Sequence, residues 1–407
     1  MKKYTVQNIG GRRNYDVAAI LSRANMLEYL VTDLYWYDGN RKILERLFFN
    51  NRILKRLSSK SNKIIPNNCV VSSQFIEYSS LLLRQLYSQN PYKAYIYIHK
   101  LISKKTVDVL KKTNSNAIYG LDTESVEIFE FAKHNGFFTA MEQCVAPRSS
   151  QIRMYQFFEE KYGISCKKKI ISCEKLQERE MKEWELSDTI LVPSSYVHAQ
   201  MLLAGVAENK MKLVPYGFNI PENILSLETM INKRIGNNSV FKILFVGNSS
   251  LRKGIQDIAK IAEILKYENI EFRIAGIMDN QIIKRFNIDK LNNIIFLGSL
   301  NKEMLYKEYE NADMLILPSY LEGSAMVILE ALSFGLPVVT TKESGSFIAS
   351  GIDGYVCDAG DIDNMVSFIT QLIYNDDLRY KISYATKSML DKVSFENYSE
   401  NLINALK

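Results

Sequence analysis

Residues 241–254 read FKILFVGNSSLRKG, and this stretch predicts the fold of the second half of the chain. A mostly apolar run ends at Gly247, which is typical of a strand buried inside a parallel sheet. Apolar residues then recur at helical spacing from Ile255 to Leu265. A strand, a polar loop and an amphipathic helix in this order form the repeating unit of a doubly wound sheet.

Five more strands are predicted C-terminal to this unit, and helical segments separate most of them. They are EFRIAG (271–276), NIIFLG (293–298), DMLILPS (313–319), PVVTT (337–341) and GYVCD (354–358). The first half of the chain alternates in the same way. Its predicted elements are a strand at 4–9, a helix at 14–30, strands at 31–36 and 116–122, a helix at 123–134, a strand at 137–142, and a long helical region at 147–187.

We therefore predict an α/β protein with two Rossmann-like domains. The first spans residues 1–218 and the second spans 219–390. Residues 218–240 lack strand character and are interpreted as the link between the domains. The last helix, 391–407, is expected to pack back on the first domain.

Length and composition exclude several classes of protein. At 407 residues the chain is too long for one core, and no apolar run approaches the ~18 residues that span a bilayer. No apolar segment follows the N-terminal lysines, so a secretory signal is not expected. The 5 cysteines are scattered without a C-x-x-C pair, and there are only 3 histidines. We expect free thiols, no metal site and a cytoplasmic location.

Arg252 and Lys253 follow the first strand of the second half, at the start of the predicted helix. A helix N-terminus favours anions, and two cations there predict a phosphate site. The alternative is a pair of exposed charges. The segment is neither a Walker A loop nor a G-x-G-x-x-G fingerprint, which argues against a dinucleotide oxidoreductase.

A second informative segment is LPSYLEGSAMVILEALSFGLPVVTT, at 317–341. Ser324 is predicted to cap the helix that follows the Glu322–Gly323 turn. Glu330 lies eight positions after Glu322, about 12 Å along a continuous helix, so the two carboxylates suit two ends of an extended ligand. A nucleotide sugar has that layout, with hydroxyls at both ends of a diphosphate. Alternatively, Glu330 is an ordinary surface residue of the helix.

The combination of FVG…RKG, E-G-x-x-x-x-x-x-E and ALSFGLPVV resembles the GT-B glycosyltransferases of family four. SDTILVPSSYV…GV…KMKLVPYGFN, at 187–219, is similar to the close of that family's N-terminal domain. The resemblance covers about residues 187–390. It implies two Rossmann-like domains facing across a cleft, with the donor bound by the C-terminal domain and the acceptor by the N-terminal domain. It also implies transfer with retention of configuration, without a metal or another cofactor.

The resemblance also implies roles for individual residues. Arg252 and Lys253 would bind the diphosphate, Glu330 the ribose, and Glu322 would face the donor sugar. The backbone N–H groups of Gly323, Ser324 and Ala325 would contact phosphate or sugar, and Gly298, Ser299 and Leu300 would line the base. Gly10 and Gly11 would approach the donor from the opposite domain. Asn248 would also lie in the donor site, at the position where many members carry Arg.

Glu142 occupies the place where many members of that family carry a histidine. It would bind a sugar hydroxyl or steady the reacting centre, and the alternative is a carboxylate at the end of a loop. Asp361 and Asp363 form an Asp-x-Asp sequence, but they open an apolar-periodic helix, so helix capping is the favoured interpretation.

The predicted function is transfer of a sugar from a nucleotide-diphosphate sugar to a glycan or lipid-linked acceptor in cell-envelope polysaccharide synthesis. Two alternatives are a GT-B enzyme of other chemistry, such as a nucleotide-sugar epimerase or a phosphorylase, and a non-catalytic nucleotide-sugar-binding protein. Incubation with nucleotide sugars, with release of nucleoside diphosphate as the readout, distinguishes them.

Residues 41–63 carry eight basic residues against the single acidic residue Glu45. Apolar residues between them, including Phe48, fit a helical stripe. A basic amphipathic helix suits an anionic membrane surface, so peripheral association with the cytoplasmic face is expected. The alternative is a core-packing helix with a solvated basic face. Nucleic-acid binding is not expected, because no reader motif accompanies the basic residues.

Overall fold

The computed structural model describes residues 1–36, 60–219, 225–234 and 240–407. These residues form two compact units. The first unit comprises Met1–Val192, Gln200–Val214 and Ser399–Lys407, and the second comprises Pro193–Ala199 and Pro215–Tyr398.

The first unit is built on a parallel sheet that has seven strands among the described residues. In chain order they are β1 (Tyr4–Gln7), β2 (Leu27–Thr32), β3 (Val70–Ser72), β4 (Ala117–Leu121), β5 (Phe138–Glu142), β6 (Thr189–Val192) and β7 (Met211–Leu213). Their order across the sheet is β3-β2-β1-β4-β5-β6-β7. The helices of this half are α1 (Asp16–Arg23), α2 (Gln74–Leu86), α3 (Pro91–Leu110), α4 (Val126–His134), α5 (Arg148–Tyr162), α6 (Lys167–Leu186) and α7 (Ser195–Leu203).

The second unit is built on a parallel sheet with six strands among the described residues. They are β8 (Phe241–Val246), β9 (Ile270–Ala275), β10 (Ile294–Gly298), β11 (Met314–Leu317), β12 (Val338–Thr341) and β13 (Gly354–Cys357), in the order β10-β9-β8-β11-β12-β13. The helices are α8 (Leu227–Arg234), α9 (Ile255–Ile264), α10 (Asn280–Arg285), α11 (Lys302–Asn311), α12 (Met326–Ser333), α13 (Ile362–Tyr374) and α14 (Asp376–Lys392). The last helix, α15 (Phe395–Leu406), begins in this unit, and its residues from Ser399 onward belong to the first unit.

Both sheets reverse their strand order once, between β1 and β4 in the first and between β8 and β11 in the second. At such a point the chain leaves neighbouring strands toward opposite sides. The loops at their carboxyl ends therefore flank a crevice in which ligands of doubly wound proteins bind. The α/β class predicted from the sequence is confirmed, and all six strands predicted in the second half are present.

Several predicted boundaries in the first half were wrong. The helix predicted at 14–30 ends at Arg23, because Asn25 adopts a left-handed conformation (φ 55°) and turns the chain. The strand predicted at 31–36 begins at Leu27, since the apolar run LEYLVT fits a strand as well as a helix. The helical region predicted at 147–187 is two helices, separated by left-handed Gly163 (φ 61°).

The link predicted at 218–240 contains the helix α8 within its described part. Met230 and Ile231 of α8 are buried, and the Arg234 guanidinium donates to the carbonyl oxygens of Phe334 (2.7 Å) and Tyr309 (3.1 Å). This helix therefore belongs to the packed second unit. At the other end of the chain, the Leu406 carbonyl accepts a 2.7 Å hydrogen bond from the Tyr4 hydroxyl within the first unit.

The basic segment predicted at 41–63 lies outside the described residues except for residues 60–63. Lys60 does not join a solvated face, because its side chain is only 16% exposed and its ammonium lies 3.6 Å from both Asp33 and Glu77. Within the described residues, helices are too short or too polar to cross a membrane.

Candidate active site

The loop after β8 is locked against the loop after β11. Gly254 has a left-handed conformation (φ 77°), and a Cβ atom there would lie 2.0 Å from the carbonyl oxygen of Pro318. The backbone N–H of Tyr320 donates to the carbonyl oxygen of Arg252 at 2.7 Å. Only glycine permits this approach, which brings the two loops that flank the reversal point of the second sheet into contact.

Arg252, Lys253 and Glu322 meet where these loops touch. Oε1 of Glu322 lies 2.6 Å from Nη1 of Arg252 and 2.7 Å from Nζ of Lys253. Nη1 of Arg252 also donates to the carbonyl oxygen of Leu321 at 2.8 Å. The side chains of Lys253 and Glu322 are only 14% and 13% exposed, so their positions are fixed by packing. Two cations share one carboxylate, which leaves one net positive charge at the carboxyl edge of the sheet.

The turn after Glu322 is held by the loop that follows β12. The backbone N–H of Glu322 donates to the carbonyl oxygen of Glu343 (2.8 Å), and that of Ala325 donates to the carbonyl oxygen of Ser344 (3.1 Å). These contacts hold the backbone of the turn outside the helix, so α12 begins at Met326 with Ala325 at its N-cap. The prediction that Ser324 caps the helix is therefore wrong. Because the Ala325 amide is already bonded, the predicted ligand contacts of this turn rest on the amides of Gly323 and Ser324.

Glu330 projects from α12 toward α11. Its Oε2 accepts a 2.8 Å hydrogen bond from the hydroxyl of Tyr309, whose fully buried ring stacks on Phe334 with centroids 5.3 Å apart. Burial raises the pKa of Glu330, while the Tyr309 hydroxyl and the charge of Lys302 oppose that rise. Glu330 is therefore a positioned, partly buried carboxylate and not an ordinary surface residue.

The remaining donor-side predictions fall on the loops after β10 and β8. Gly298 is left-handed (φ 69°), and a Cβ atom there would meet nothing within 4 Å. Ser299 is exposed, Leu300 packs against the core of the second unit, and Asn248 is exposed. These residues lie at the carboxyl edge of the sheet, but none has a described contact with Glu322 or Glu330.

The first unit carries a second polar cluster at its own reversal point. Gly10 and Gly11 are left-handed (φ 75° and 67°), and so are Arg13, Asn14 and Tyr15 (φ 50°, 53° and 59°). A run of non-glycine residues with left-handed backbone conformation costs free energy and persists only where surrounding contacts fix it. The Gly10 amide supplies one such contact, a 2.9 Å hydrogen bond to Oδ1 of Asp33.

Glu142 lies at the end of β5 and is 4% exposed. Tyr119 donates a hydrogen bond to its Oε2, and Nη1 of Arg13 lies 3.5 Å from its Oε1. Glu142 is therefore a buried strand residue rather than a loop-end carboxylate, and Arg13 joins it to the loop of Gly10 and Gly11. No contact of this kind could be read from the sequence, because Arg13 and Glu142 are far apart along the chain.

Further ionisable residues of the first unit were missed by the sequence analysis. Glu124 follows β4, and its Oε1 accepts a 3.2 Å hydrogen bond from Tyr95 while Oε2 lies 3.6 Å from Nδ1 of His99. Burial raises the pKa of Glu124 to about 8 and lowers that of His99 to about 3. Both groups are therefore neutral near pH 7. The position of Glu124, two residues after the strand predicted at 116–122, was the available signal.

Two carboxylates on α6 complete this cluster. Glu183 accepts backbone hydrogen bonds from Thr123 (2.5 Å) and Ser125 (2.6 Å), and Glu180 accepts one from Arg148 (2.8 Å). Both glutamates are fully buried. Glu183 fixes the loop after β4 and thereby shapes the first unit's reversal point, whereas Glu180 fixes the start of α5. The polar sequence of α6 gave no signal of this burial.

Residues 228–389 match the family model described as glycosyl transferases group 1. An uncharacterized glycosyltransferase of Methanocaldococcus jannaschii is 28% identical over 56% of this chain and 61% of its own length. A capsular polysaccharide biosynthesis glycosyltransferase of Staphylococcus aureus, CapM, is 25% identical over 49% of this chain and 55% of its own length. The chain thus aligns with less than two thirds of these relatives.

The structural match to Anabaena HepE, in complex with UDP and glucose, covers 100% of this chain and 99% of the HepE chain, with a TM-score of 0.60 and 15% sequence identity. At this identity the likeness concerns the fold, and the predicted GT-B fold is confirmed. Arg252, Lys253, Glu322 and Glu330 all lie within the segment that matches the glycosyl transferases group 1 model, whereas Gly10, Gly11 and Glu142 precede it.

Proposed function

We propose that the chain is a retaining glycosyltransferase that moves a sugar from a nucleotide-diphosphate sugar to a glycan or lipid-linked acceptor in cell-envelope polysaccharide synthesis. The main support for this proposal is that Nη1 of Arg252 and Nζ of Lys253 both contact Oε1 of Glu322, at 2.6 and 2.7 Å. The capsular relative supports the biological context, and the UDP complex of HepE supports the donor class.

In the proposed reaction the bond between the anomeric carbon and the diphosphate oxygen breaks, and its electron pair goes to the diphosphate. The acceptor hydroxyl oxygen bonds the anomeric carbon on the same face, and its proton passes to the departing diphosphate. Negative charge therefore grows on the leaving group, where preorganised cations are most effective. Arg252 and Lys253 would supply this stabilisation, with Glu322 holding them in place before the donor binds.

Glu330 would bind a ribose hydroxyl through the carboxylate oxygen that Tyr309 does not occupy. Glu142 would contact the reacting sugar or its acceptor, held in position by Tyr119 and Arg13. The pair of cations would replace a divalent metal at the diphosphate, so no metal is required in this proposal. Among the described residues, His, Cys, Asp and Glu do not gather in groups of three that could hold a metal ion.

The location that suits this reaction is the cytoplasm, with peripheral attachment to the membrane that holds a lipid-linked acceptor. Residues 41–63 would supply basic charge for that attachment, except Lys60, which is bound to Asp33 and Glu77. Substitution of Arg52, Lys55 and Arg56 by Gln should weaken co-sedimentation with anionic vesicles at low salt. Equal sedimentation of this variant and the wild type would remove these residues from the proposal.

The test of the catalytic proposal is incubation with a panel of nucleotide sugars, with and without a crude membrane extract as acceptor. We expect acceptor-dependent release of nucleoside diphosphate with one donor, and a product whose anomeric configuration matches that of the donor. An epimerase would change the donor sugar without release. A phosphorylase would require inorganic phosphate, and a binding protein would give neither reaction. Any of these three results would contradict the proposal.

A further inference from the structure

The helix α2 presents an apolar face to solvent. Five large apolar side chains of this one helix are 58–72% exposed, and they are Phe75, Tyr78, Leu81, Leu82 and Leu86. Their spacing places them on one stripe of about 140°, since each residue of a helix advances about 100°. Ile76 and Ser80, on the opposite side of α2, are buried. The helix is thus packed through one face and apolar on the other, which is the reverse of an ordinary surface helix.

The helix that follows α2 supplies basic charge beside this stripe. Lys93, Lys100 and Lys104 of α3 lie at helical spacing from Tyr97 and share its exposed face. The ring of Tyr97 stacks on Tyr87, the residue at the end of α2, with centroids 5.6 Å apart. The lysine row therefore borders the C-terminal end of the apolar stripe.

The hairpin formed by α2 and α3 carries a net positive charge. Residues 74–112 contain seven basic residues and only two acidic ones, Glu77 and Asp108. Glu77 shares the Lys60 ammonium with Asp33, each at 3.6 Å. An exposed apolar stripe beside a row of exposed lysines matches the interface of an anionic phospholipid bilayer, where apolar side chains enter the acyl boundary and cations meet the headgroups.

We propose that the apolar stripe of α2 is a membrane-docking surface that inserts into the interface of an anionic phospholipid bilayer. The inference rests on the proposed function for its purpose, because it explains how the enzyme reaches a lipid-linked acceptor. It does not rest on residues 41–59, and the two membrane predictions can succeed or fail separately.

The first experiment is co-sedimentation of the full chain with vesicles of phosphatidylglycerol and phosphatidylcholine, compared with phosphatidylcholine alone. Phe75→Ser, Leu82→Ser and Leu86→Ser are combined in one variant, and we expect its partition into anionic vesicles to fall about tenfold or more. The matched control combines Leu203→Ser, Tyr267→Ser and Ile352→Ser. These side chains are 74%, 91% and 60% exposed, lie elsewhere and should leave partition unchanged.

A second measurement reports on the site itself. In the Tyr78→Trp variant, tryptophan emission should shift to shorter wavelength with anionic vesicles and be quenched by lipids that carry a spin label at shallow acyl positions. Tyr267→Trp, at a position 91% exposed outside the stripe, should show neither effect. Raised salt should weaken both signals, because the lysine contribution is screened.

Three results would overturn the proposal. One is equal partition of the stripe variant and the wild type. Another is the absence of an emission shift in Tyr78→Trp. The third is wild-type self-association that the stripe substitutions abolish, without binding to vesicles, which would make α2 a surface between copies of the chain. Donor hydrolysis in the absence of membranes is measured in parallel, so that a failure of docking is distinguished from a failure of the glycosyltransferase proposal.

Discussion

The hydroxyl of Tyr309 donates a 2.8 Å hydrogen bond to Oε2 of Glu330 and thereby fixes one of the two oxygens of that carboxylate. Tyr309 lies on α11 and is itself fixed by stacking on Phe334. In the proposed site, Tyr309 is therefore a positioning residue that sets the direction in which Glu330 meets the ribose.

Tyr309→Phe should raise the donor KM by about three- to tenfold, the effect of losing one hydrogen bond, with kcat nearly unchanged. A ribose contact is present in both ground and transition states, so its loss appears mainly in KM. Glu330→Gln should have the larger effect on KM, and adding Tyr309→Phe to it should change little more. Steady-state kinetics of the two single variants and the double variant measure this coupling.

Tyr306→Phe is the matched control, because it removes the hydroxyl of a neighbouring ring that also packs against Phe334. It should leave KM unchanged. Glu322→Gln, by contrast, should lower kcat more than it raises KM, since Glu322 is proposed to face the reacting sugar. Additive effects of Tyr309→Phe and Glu330→Gln, or exchanged effects of Glu322 and Glu330, would contradict these assignments.

Gly254→Ala should destabilise the protein by about 3 kcal/mol or more and lower activity, because its Cβ atom would lie 2.0 Å from the Pro318 carbonyl oxygen. Gly136→Ala is the control, since Gly136 has a similar φ of 73° but would meet nothing within 4 Å. The control should lose only about 1 kcal/mol from the left-handed backbone. Urea unfolding of both variants gives the comparison, and equal losses would show that the loop contact is not tight.

Glu124 should make the free energy of unfolding fall as pH rises. Its pKa of about 8 in the folded state exceeds the ordinary value of 4.5, so the folded protein holds a proton that the unfolded chain releases between these values. His99, with a pKa of about 3, acts below pH 6.5 and in the opposite direction. Burial also raises the pKa of Glu180, to about 7, and that of Glu183, so the effect of Glu124 is obtained by comparison with a variant that lacks its carboxyl group.

The measurement is denaturant unfolding of wild type and Glu124→Gln across pH 6.5–8.5. Gln resembles the neutral carboxyl group, so the variant should lose less stability than the wild type as pH rises. Parallel curves for the two proteins would show that Glu124 is already ionised in the fold.

Activity should persist in excess chelator, because Arg252, Lys253 and the nearby backbone amides are proposed to meet the diphosphate without a metal. Nucleoside diphosphate release is measured after exhaustive dialysis against EDTA, with and without added magnesium or manganese. Loss of activity that either metal restores would contradict the proposal and return attention to Asp361 and Asp363. Asp361 serves as a helix cap, as predicted, since its side chain accepts the backbone N–H of Asn364 at 3.3 Å.

The sequence predicted the second half of the protein well, because its strands are continuous apolar runs and its site residues follow them directly. Arg252, Lys253 and Glu322 come from two such loops, and their contact follows from the reversal of strand order. Ser324 was assigned wrongly because the backbone bonds of Ala325 and Glu322 to the loop after β12 delay the helix. Local capping preferences do not contain that tertiary constraint.

The first half was predicted less well, since its polar residues are organised by contacts between distant segments. Glu183 binds the amides of Thr123 and Ser125, and Arg13 reaches Glu142, across many residues of chain. The exposed stripe of α2 was missed for a related reason. Apolar residues at helical spacing do not by themselves show which face of a helix is packed, and the structure shows it.

In the proposed reaction, Arg252 and Lys253 stabilise charge on the departing diphosphate. The most direct measurement of this role is kcat at saturating donor for Arg252→Ala and Lys253→Ala. Each substitution should lower kcat about 100- to 1000-fold, as for loss of one preorganised donor to a developing anion. Lys284→Ala, an exposed lysine on α10, is the control and should keep wild-type turnover. Near-normal kcat in both Arg252→Ala and Lys253→Ala would contradict the account.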